Sequence, residues 1–300
     1  MRYAIIEWAF EQKVDAQFIG TRPFKIQRKR MSLKVISSRD NALFKRFAAL
    51  SRSAPARKRD GLCLLEGEHL AQSYAERIGK LEIVAIRAST ATGEGSALTP
   101  TQKKLAERAH EAVLVAPTLF DSLSTLVSPT GLLAIANTPP EPALATSGFV
   151  LALDEVQDPG NVGTLIRTAA AAGVSQVWLS NGCAFAWSVK TLRAAQGAHF
   201  HTQVIEGVDL PAALAAFKGS RWATLPRHVG SAKTASLFDA KFGNDNALVL
   251  SNEGHGLSTA IMPALTGGLC IPMAAGVESL NVATAGAIVL YAFAQAQTSG

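Results

Sequence analysis

The sequence predicts an α/β protein in two parts, the second built on a parallel sheet. Three observations point there. From residue 32 onward, short apolar runs alternate with stretches of helical periodicity. In the second half these short runs are apolar throughout, as expected of strands covered on both faces by helices. Between the halves lies NTPPEPALATSG, with Pro139, Pro140 and Pro142 close together, which reads as a stiff linker. A chain of 300 residues has room for one large domain or two ordinary ones.

The front part reads as a small α/β domain over residues 32–137. Asp40 is placed to cap a helix whose buried face carries Leu43, Phe44, Phe47 and Leu50. Residues 52–61 read as a basic loop bounded by Pro and Gly. Strands are expected at 62–65, 81–86, 112–115 and 132–136. Helices are expected at 68–78, where Gly79 ends the pattern, and at 119–126. Another runs from the Thr99-x-x-Gln102 capping box, with Pro100 in its first turn, to His110. Residues 138–148 form the linker. Residues 1–31 differ from the rest, and LKVISSRDNALFKRF after Met31 reads like a domain start. They are taken as an extension outside the fold, disordered or non-native.

In the domain at 149–300, strands are expected at 149–153, 176–179, 203–205, 222–225, 247–250 and 269–271. Helices are expected at 161–172, 189–197 and 210–217, with a short one after Ser258 and a long one from Leu280. Sheets of this kind bind ligands at the carboxyl ends of their strands.

Charge is uneven. Residues 1–140 hold 21 Lys and Arg against 13 Asp and Glu, whereas residues 141–300 hold 8 against 10. Thirteen bases and one acid lie between Arg22 and Arg59. A positive front and a near-neutral back point to a polyanion docked by one part and a different task in the other. The three scattered cysteines, Cys63, Cys183 and Cys270, fit a reducing compartment and exclude a disulfide framework. His199-x-His201 puts two imidazoles on one face of a strand, but further ligands are lacking nearby, so no metal is expected. The first 30 residues lack the basic-then-apolar order of a signal peptide. The longest uncharged run, residues 279–300, is too broken by polar residues to cross a bilayer. A soluble, cytoplasmic protein is expected.

Three loops at strand ends are unusual. In DPGNVGTLIRT, Gly160 and Gly163 allow close backbone approach, Asn161 is placed to cap the helix, and Arg167 lies in its second turn at the margin of the face carrying Val162, Leu165, Ile166 and Ala169. In LSNEGHGLS, a Gly-x-Gly turn carries one carboxylate, Glu253. In CIPMAAGVESLNVATAG, Ser279 and Asn281 stand at the mouth of an apolar helix. The glycine fingerprint of dinucleotide sites, the phosphate-cradling P-loop and the nucleophile elbow of hydrolases are all missing. Each loop alone reads as a cap or turn. Three in one domain read as a backbone-rich site for a ligand and a phosphate-bearing substrate.

These loops, quoted as DPGNVGTLIRTAAAAG, LVLSNEGHGLS and CIPMAAGVESLNVATAGAIVLY, resemble the three signature motifs of the SpoU/TrmH family of RNA ribose 2′-O-methyltransferases. VKTLRAAQGAH resembles the family's segment between the first two. The likeness spans residues 149–297 in order and spacing. More loosely, SSRDNALFKRF and LLEGEHL resemble the small RNA-binding domain, related to a large-subunit ribosomal protein, that many members carry. The resemblance implies S-adenosylmethionine held by a C-terminal trefoil knot, without a metal, and a homodimer. Spacing alone gives an ordinary doubly wound sheet.

By position, the resemblance assigns Asn161, Arg167, Glu253, Ser279 and Asn281 to the catalytic motifs. Ser251, Ile271 and Leu280 fall where the family contacts the methyl donor, with Thr224, Leu225, Gly254 and Met273 as neighbours. Position 251 is usually Gly, so Ser251 tests whether the turn there avoids positive φ. Ala195-Gln196 departs from a common small-polar pairing. The ribosomal-protein-like front domain favours large-subunit ribosomal RNA over transfer RNA. A non-catalytic RNA-binding protein of the same fold is the rival of another class, and the presence of Asn161, Arg167, Glu253 and Asn281 argues against it.

Overall fold

The structure is a computed structural model that describes residues 33–225, 234–252, 256–277 and 279–298. The reading of residues 1–31 as an extension, and Glu253 and Gly254, lie outside the described residues.

Residues 33–137 build a five-stranded mixed sheet from β1 (Lys34–Ile36), β2 (Leu62–Glu66), β3 (Leu81–Arg87), β4 (Ala109–Val115) and β5 (Leu132–Asn137), in the order β1-β4-β3-β5-β2. Strand β5 runs antiparallel to both β2 and β3. Five helices accompany it: α1 (Ala42–Arg52), α2 (Ala54–Asp60), α3 (Glu68–Arg77), α4 (Pro100–Glu107) and α5 (Pro117–Leu123).

Three local expectations are corrected here. Asn41, not Asp40, caps α1: its Oδ1 accepts from the amides of Leu43 and Phe44, while Asp40 pairs with Lys45. The expected loop at 52–61 contains α2. Its signals are standard ones: Ser53 accepts from Ala56 N, Pro55 sits in the first turn, and Gly61 closes the helix in the left-handed region at φ 62°. The short strand β1 was not expected.

Residues 149–298 build a seven-stranded sheet, every neighbouring pair parallel, in the order β10-β12-β9-β11-β6-β7-β8. The strands are β6 (Phe149–Asp154), β7 (Gln176–Leu179), β8 (Gln203–Ile205), β9 (Ser220–Thr224), β10 (Thr234–Ser236), β11 (Asn246–Ser251) and β12 (Gly267–Cys270). The helices are α6 (Pro159–Ala171), α7 (Val189–Ala195), α8 (Leu210–Ala216) and α9 (Val282–Thr298). The edge strand β10 was not expected, and the helix expected after Ser258 is a single 3-10 turn, Met262–Ala264.

Side-chain alternation explains why these strands look uniformly apolar. In β6, Phe149, Leu151 and Leu153 enter the core under α6 and α9, whereas Val150 and Ala152 enter the core with Trp178, Leu214 and Phe217 on the other face. The first of these cores continues into the front sheet through Cys63, Tyr74 and Leu132. Tyr74 meets Phe200 edge-on with ring centroids 5.3 Å apart. The two sheets are thus joined by continuous apolar packing. His199 lies on a 3-10 turn rather than a strand, with its ring buried and Nε2 2.9 Å from the Ala186 carbonyl, while His201 is exposed. Among the described residues no helix is long and apolar enough to cross a membrane.

Candidate active site at the carboxyl ends of the second sheet

Strands β6 and β11 end side by side, with Ser251 in register with Asp154. The amide of Asn252 donates to the Asp154 carbonyl (3.2 Å), and that of Ser258 to the Asp154 carboxylate (2.9 Å). Asp154 therefore ties both ends of the second motif's loop to the strand carrying the first. Burial pushes its carboxyl above the usual range, and the Ser258 bond opposes that shift. Ser251 is not among the residues with positive φ, so a side chain is accommodated where the family usually has Gly.

Helix α6 opens with Asp158 as its cap, which corrects the assignment to Asn161. The Asp158 carboxylate accepts from Asn161 N at 2.8 Å, and Pro159 takes the first helical position, where a missing N–H costs nothing. This leaves the Asn161 side chain to other use. Its Oδ1 accepts from Asn281 Nδ2 at 3.1 Å. Asn281 in turn caps α9, its Oδ1 accepting from the amides of Ala283 (3.0 Å) and Thr284 (3.3 Å). Those two donors settle which end of the amide is oxygen.

Two glycines let the helices meet. A Cβ on Gly163 lies 2.5 Å from the Thr191 carbonyl oxygen, and one on Gly286 lies 2.3 Å from Leu165 Cδ2. Helix α6 thereby packs tightly against α7 on one side and α9 on the other. Arg167 projects from the exposed face of α6 and makes no hydrogen bond or ion pair among the described residues.

Beside this helix pair the ends of β9, β11 and β12 enclose a cavity of about 180 Å³. Thr224, Leu225, Ser251, Ile271, Met273 and Leu280 line it, together with Ser279. The structure thus gathers these expected positions around one space. It does not bring Asn161, Arg167 or Asn281 to the cavity wall. Asn252, Cys270, Val282 and Ala285 also line it and were not anticipated. Val282 and Ala285 stand three apart on the first turn of α9, a spacing that shares one helix face and so offered a signal. Larger clefts of about 460 and 350 Å³ lie elsewhere, away from the three motifs. The motif cavity combines an apolar wall of Leu225, Ile271, Leu280 and Val282 with the polar residues Thr224, Ser251, Asn252 and Ser279.

Comparison with known proteins agrees with this geometry. Residues 148–291 match the model of the SpoU rRNA Methylase family. The 23S rRNA guanosine 2′-O-methyltransferase RlmP of Bacillus subtilis is 33% identical over 261 residues, covering 86% of this chain and 98% of that protein. A TrmH-family structure from Porphyromonas gingivalis is 31% identical with a TM-score of 0.67, covering 84% of this chain and 97% of that one. The SpoU methyltransferase AviRb of Streptomyces viridochromogenes shares the fold, with a TM-score of 0.74 at 24% identity over 87% of this chain and 99% of that one. With a relative matched over almost its full length at this identity, the chain belongs to the SpoU rRNA methylase family.

Proposed function

We propose that this chain methylates the 2′-hydroxyl of a ribose in large-subunit ribosomal RNA. The observation that carries the reading is the motif cavity, lined by Leu280 and Val282 on either side of Asn281, whose side chain bonds to Asn161. RlmP, similar along nearly its whole length, bears the name of such an enzyme.

S-adenosylmethionine supplies a methyl group already activated by a sulfonium. What remains for the protein is alignment and charge control. The apolar wall and the strand-end main chain of residues 224–225, 251–252 and 270–271 hold the donor. Ser279 and Leu280 close the cavity from the third motif, and we assign Glu253 to catalysis and Gly254 to donor binding from the second motif. Asn161 and Asn281 fix the mouths of α6 and α9 relative to each other. Arg167 carries a guanidinium, a poor choice of general base. It holds the phosphate beside the acceptor ribose and stabilises the oxygen as negative charge develops. That phosphate, or water, takes the proton. No metal has a role in this scheme.

Residues 32–137 serve as the RNA-docking domain, with 138–148 as linker and 149–300 as the catalytic domain. Arg39, Lys45, Arg46, Arg52 and Arg59 are all exposed on the front sheet's helices and loops, which supports this role. The C-terminal segment completes a trefoil knot. The chain acts in the cytoplasm as a homodimer. The exposed Phe238 (71%) and Tyr291 (55%), beside Ile288 on α9, supply an apolar face for a second copy.

The test maps 2′-O-methylation in ribosomal RNA from a deletion strain, then incubates that RNA with the protein and labelled donor. One large-subunit ribose that lacks the methyl group and regains it supports the reading. Unchanged methylation in the strain and no incorporation in vitro refute it.

A further inference from the structure

The carboxyl-end rim of the second sheet continues past α6 to a second cleft. Its wall on one side comes from the loops after β7 and β8, which carry Asn181, Phe185 and Glu206. Its wall on the other comes from α2 of the front sheet, which carries Arg57 and Lys58. The cleft measures about 350 Å³, within the range of small-ligand sites.

Its chemistry is not that of a passive seam. The Lys58 ammonium sits 4.8 Å, and the Arg57 guanidinium 5.6 Å, from the centroid of the Phe185 ring. Arg57 is only 6% exposed, and its Nη1 donates to the Leu50 carbonyl, yet its Nε has no partner among the described residues. One Glu206 oxygen accepts from Ala186 N at 2.8 Å, while the other makes no hydrogen bond among the described residues. Burial raises the Glu206 carboxyl above its usual range, opposed by the Ala186 bond and by Lys58. Gly207, at φ 67°, brings the loop after β8 close against the Asn181 side chain. The cleft thus presents an aromatic face, two cations and an acceptor carboxylate short of a donor.

The motif cavity centres on β9 and this cleft on β7 and β8, in the sheet order β12-β9-β11-β6-β7-β8. At ~4.8 Å per strand the two centres are roughly 17 Å apart along one rim. A single RNA strand can occupy both, with a few nucleotides between them.

We propose that this cleft is a second RNA subsite, which holds an unpaired base a few nucleotides from the methylated ribose. The base stacks on Phe185, Lys58 moves from the ring to the adjoining phosphate, and Glu206 accepts from an exocyclic amino group. The inference rests on the methyltransferase reading above. A base with an amino group, such as cytosine, satisfies Glu206, whereas uracil turns a carbonyl oxygen toward it. The nearby Glu141 carboxylate, which accepts from Glu206 N at 3.1 Å, adds to the same preference.

The experiment measures binding of labelled cytidine and uridine homo-oligomers of equal length by fluorescence polarisation. The wild-type chain is expected to prefer oligocytidine by about tenfold, the lower end of a good base contact. Glu206→Gln keeps an acceptor for Ala186 N and should bring the two affinities to within about twofold. Phe185→Leu should weaken both by about tenfold through lost stacking. S-adenosylmethionine titration and thermal melting on each variant provide the fold control. Lys58 is exposed and touches the site only through the Phe185 ring, so Lys58→Ala should fold and weaken both oligomers while preserving the preference. Equal wild-type affinities, or a preference that survives Glu206→Gln in folded protein, would overturn the subsite. Absence of donor binding by the wild type instead strikes the methyltransferase reading, so the two failures are distinguishable.

Discussion

Asn281 donates its side-chain amide to Asn161 across 3.1 Å, so residues 120 positions apart lock the first turn of α9 to the first turn of α6. Because Asn281 also caps α9, its two functions can be separated. Asn281→Ala loses both and should cost about 1 kcal/mol of stability from the cap alone. Asn281→Asp keeps the capping oxygen but loses the donor and sets a charge against Asn161 Oδ1. Stability in denaturant titrations should stay within about 0.5 kcal/mol of wild type, while methyl transfer falls about 100-fold from misplacement of the helix mouths. Wild-type turnover by Asn281→Asp refutes a positioning role for this bond.

Arg167 is exposed on α6 and has no partner among the described residues, so its removal should leave the fold and the donor cavity untouched. Arg167→Ala is expected to abolish turnover while S-adenosylmethionine binding remains at the wild-type level. Arg167→Lys retains the charge and removes the fork. If single-turnover rates for Arg167→Lys match wild type, the bidentate phosphate clamp is wrong.

The two packing glycines should differ in tolerance. An added methyl at Gly163 meets the Thr191 carbonyl and Ala195 N, both main chain, whereas at Gly286 it meets the ends of Leu165 and Leu250. Gly286→Ala can be absorbed by rotamer changes, and Gly163→Ala requires α6 and α7 to separate. Overpacking of this kind costs about 1–3 kcal/mol, with Gly163→Ala expected at the upper end. Urea titrations of both variants rank them.

His199 predicts a pH dependence of stability. Burial holds its imidazole down to about 4, opposed by the bond to the Ala186 carbonyl. Between that value and an unfolded value near 6.5 the unfolded chain binds the proton and the folded chain does not. The stabilisation is therefore complete above pH ~6.5 and is lost as pH falls through the window, up to roughly 3 kcal/mol in all. His199→Gln retains a donor for Ala186 and should flatten the fall in denaturation midpoint between neutral pH and pH ~5. An identical fall in both proteins contradicts this account of the ring. The raised carboxyls of Asp154 and Glu206 act with the opposite sign, so the comparison with the variant isolates His199.

Much of the site was legible because its signals are local. Apolar runs marked the buried strands of the second sheet, and the loops after them carried Gly, Asn and Ser where strands end. What escaped depended on finer or longer-range information. Pro159 suits the first helical position and so points to Asp158 as the cap, but Asn161 is an equally good capping residue three positions on. Strands β1 and β10 are three residues each and lie at sheet edges, and the Thr-Ala-Ser of β10 offers no apolar run to mark it. The Asn161–Asn281 bond and the cleft between α2 and the β7–β8 rim join segments remote in sequence, so no window of residues contains them.

The most direct measurement is isothermal titration of the folded chain with S-adenosylmethionine, on the wild type and on Leu280→Asp. Saturable uptake by the wild type, lost when a charge enters the apolar wall, is the expected outcome. A folded wild-type chain that takes up none of the compound, with or without ribosomal RNA present, contradicts the account at its base.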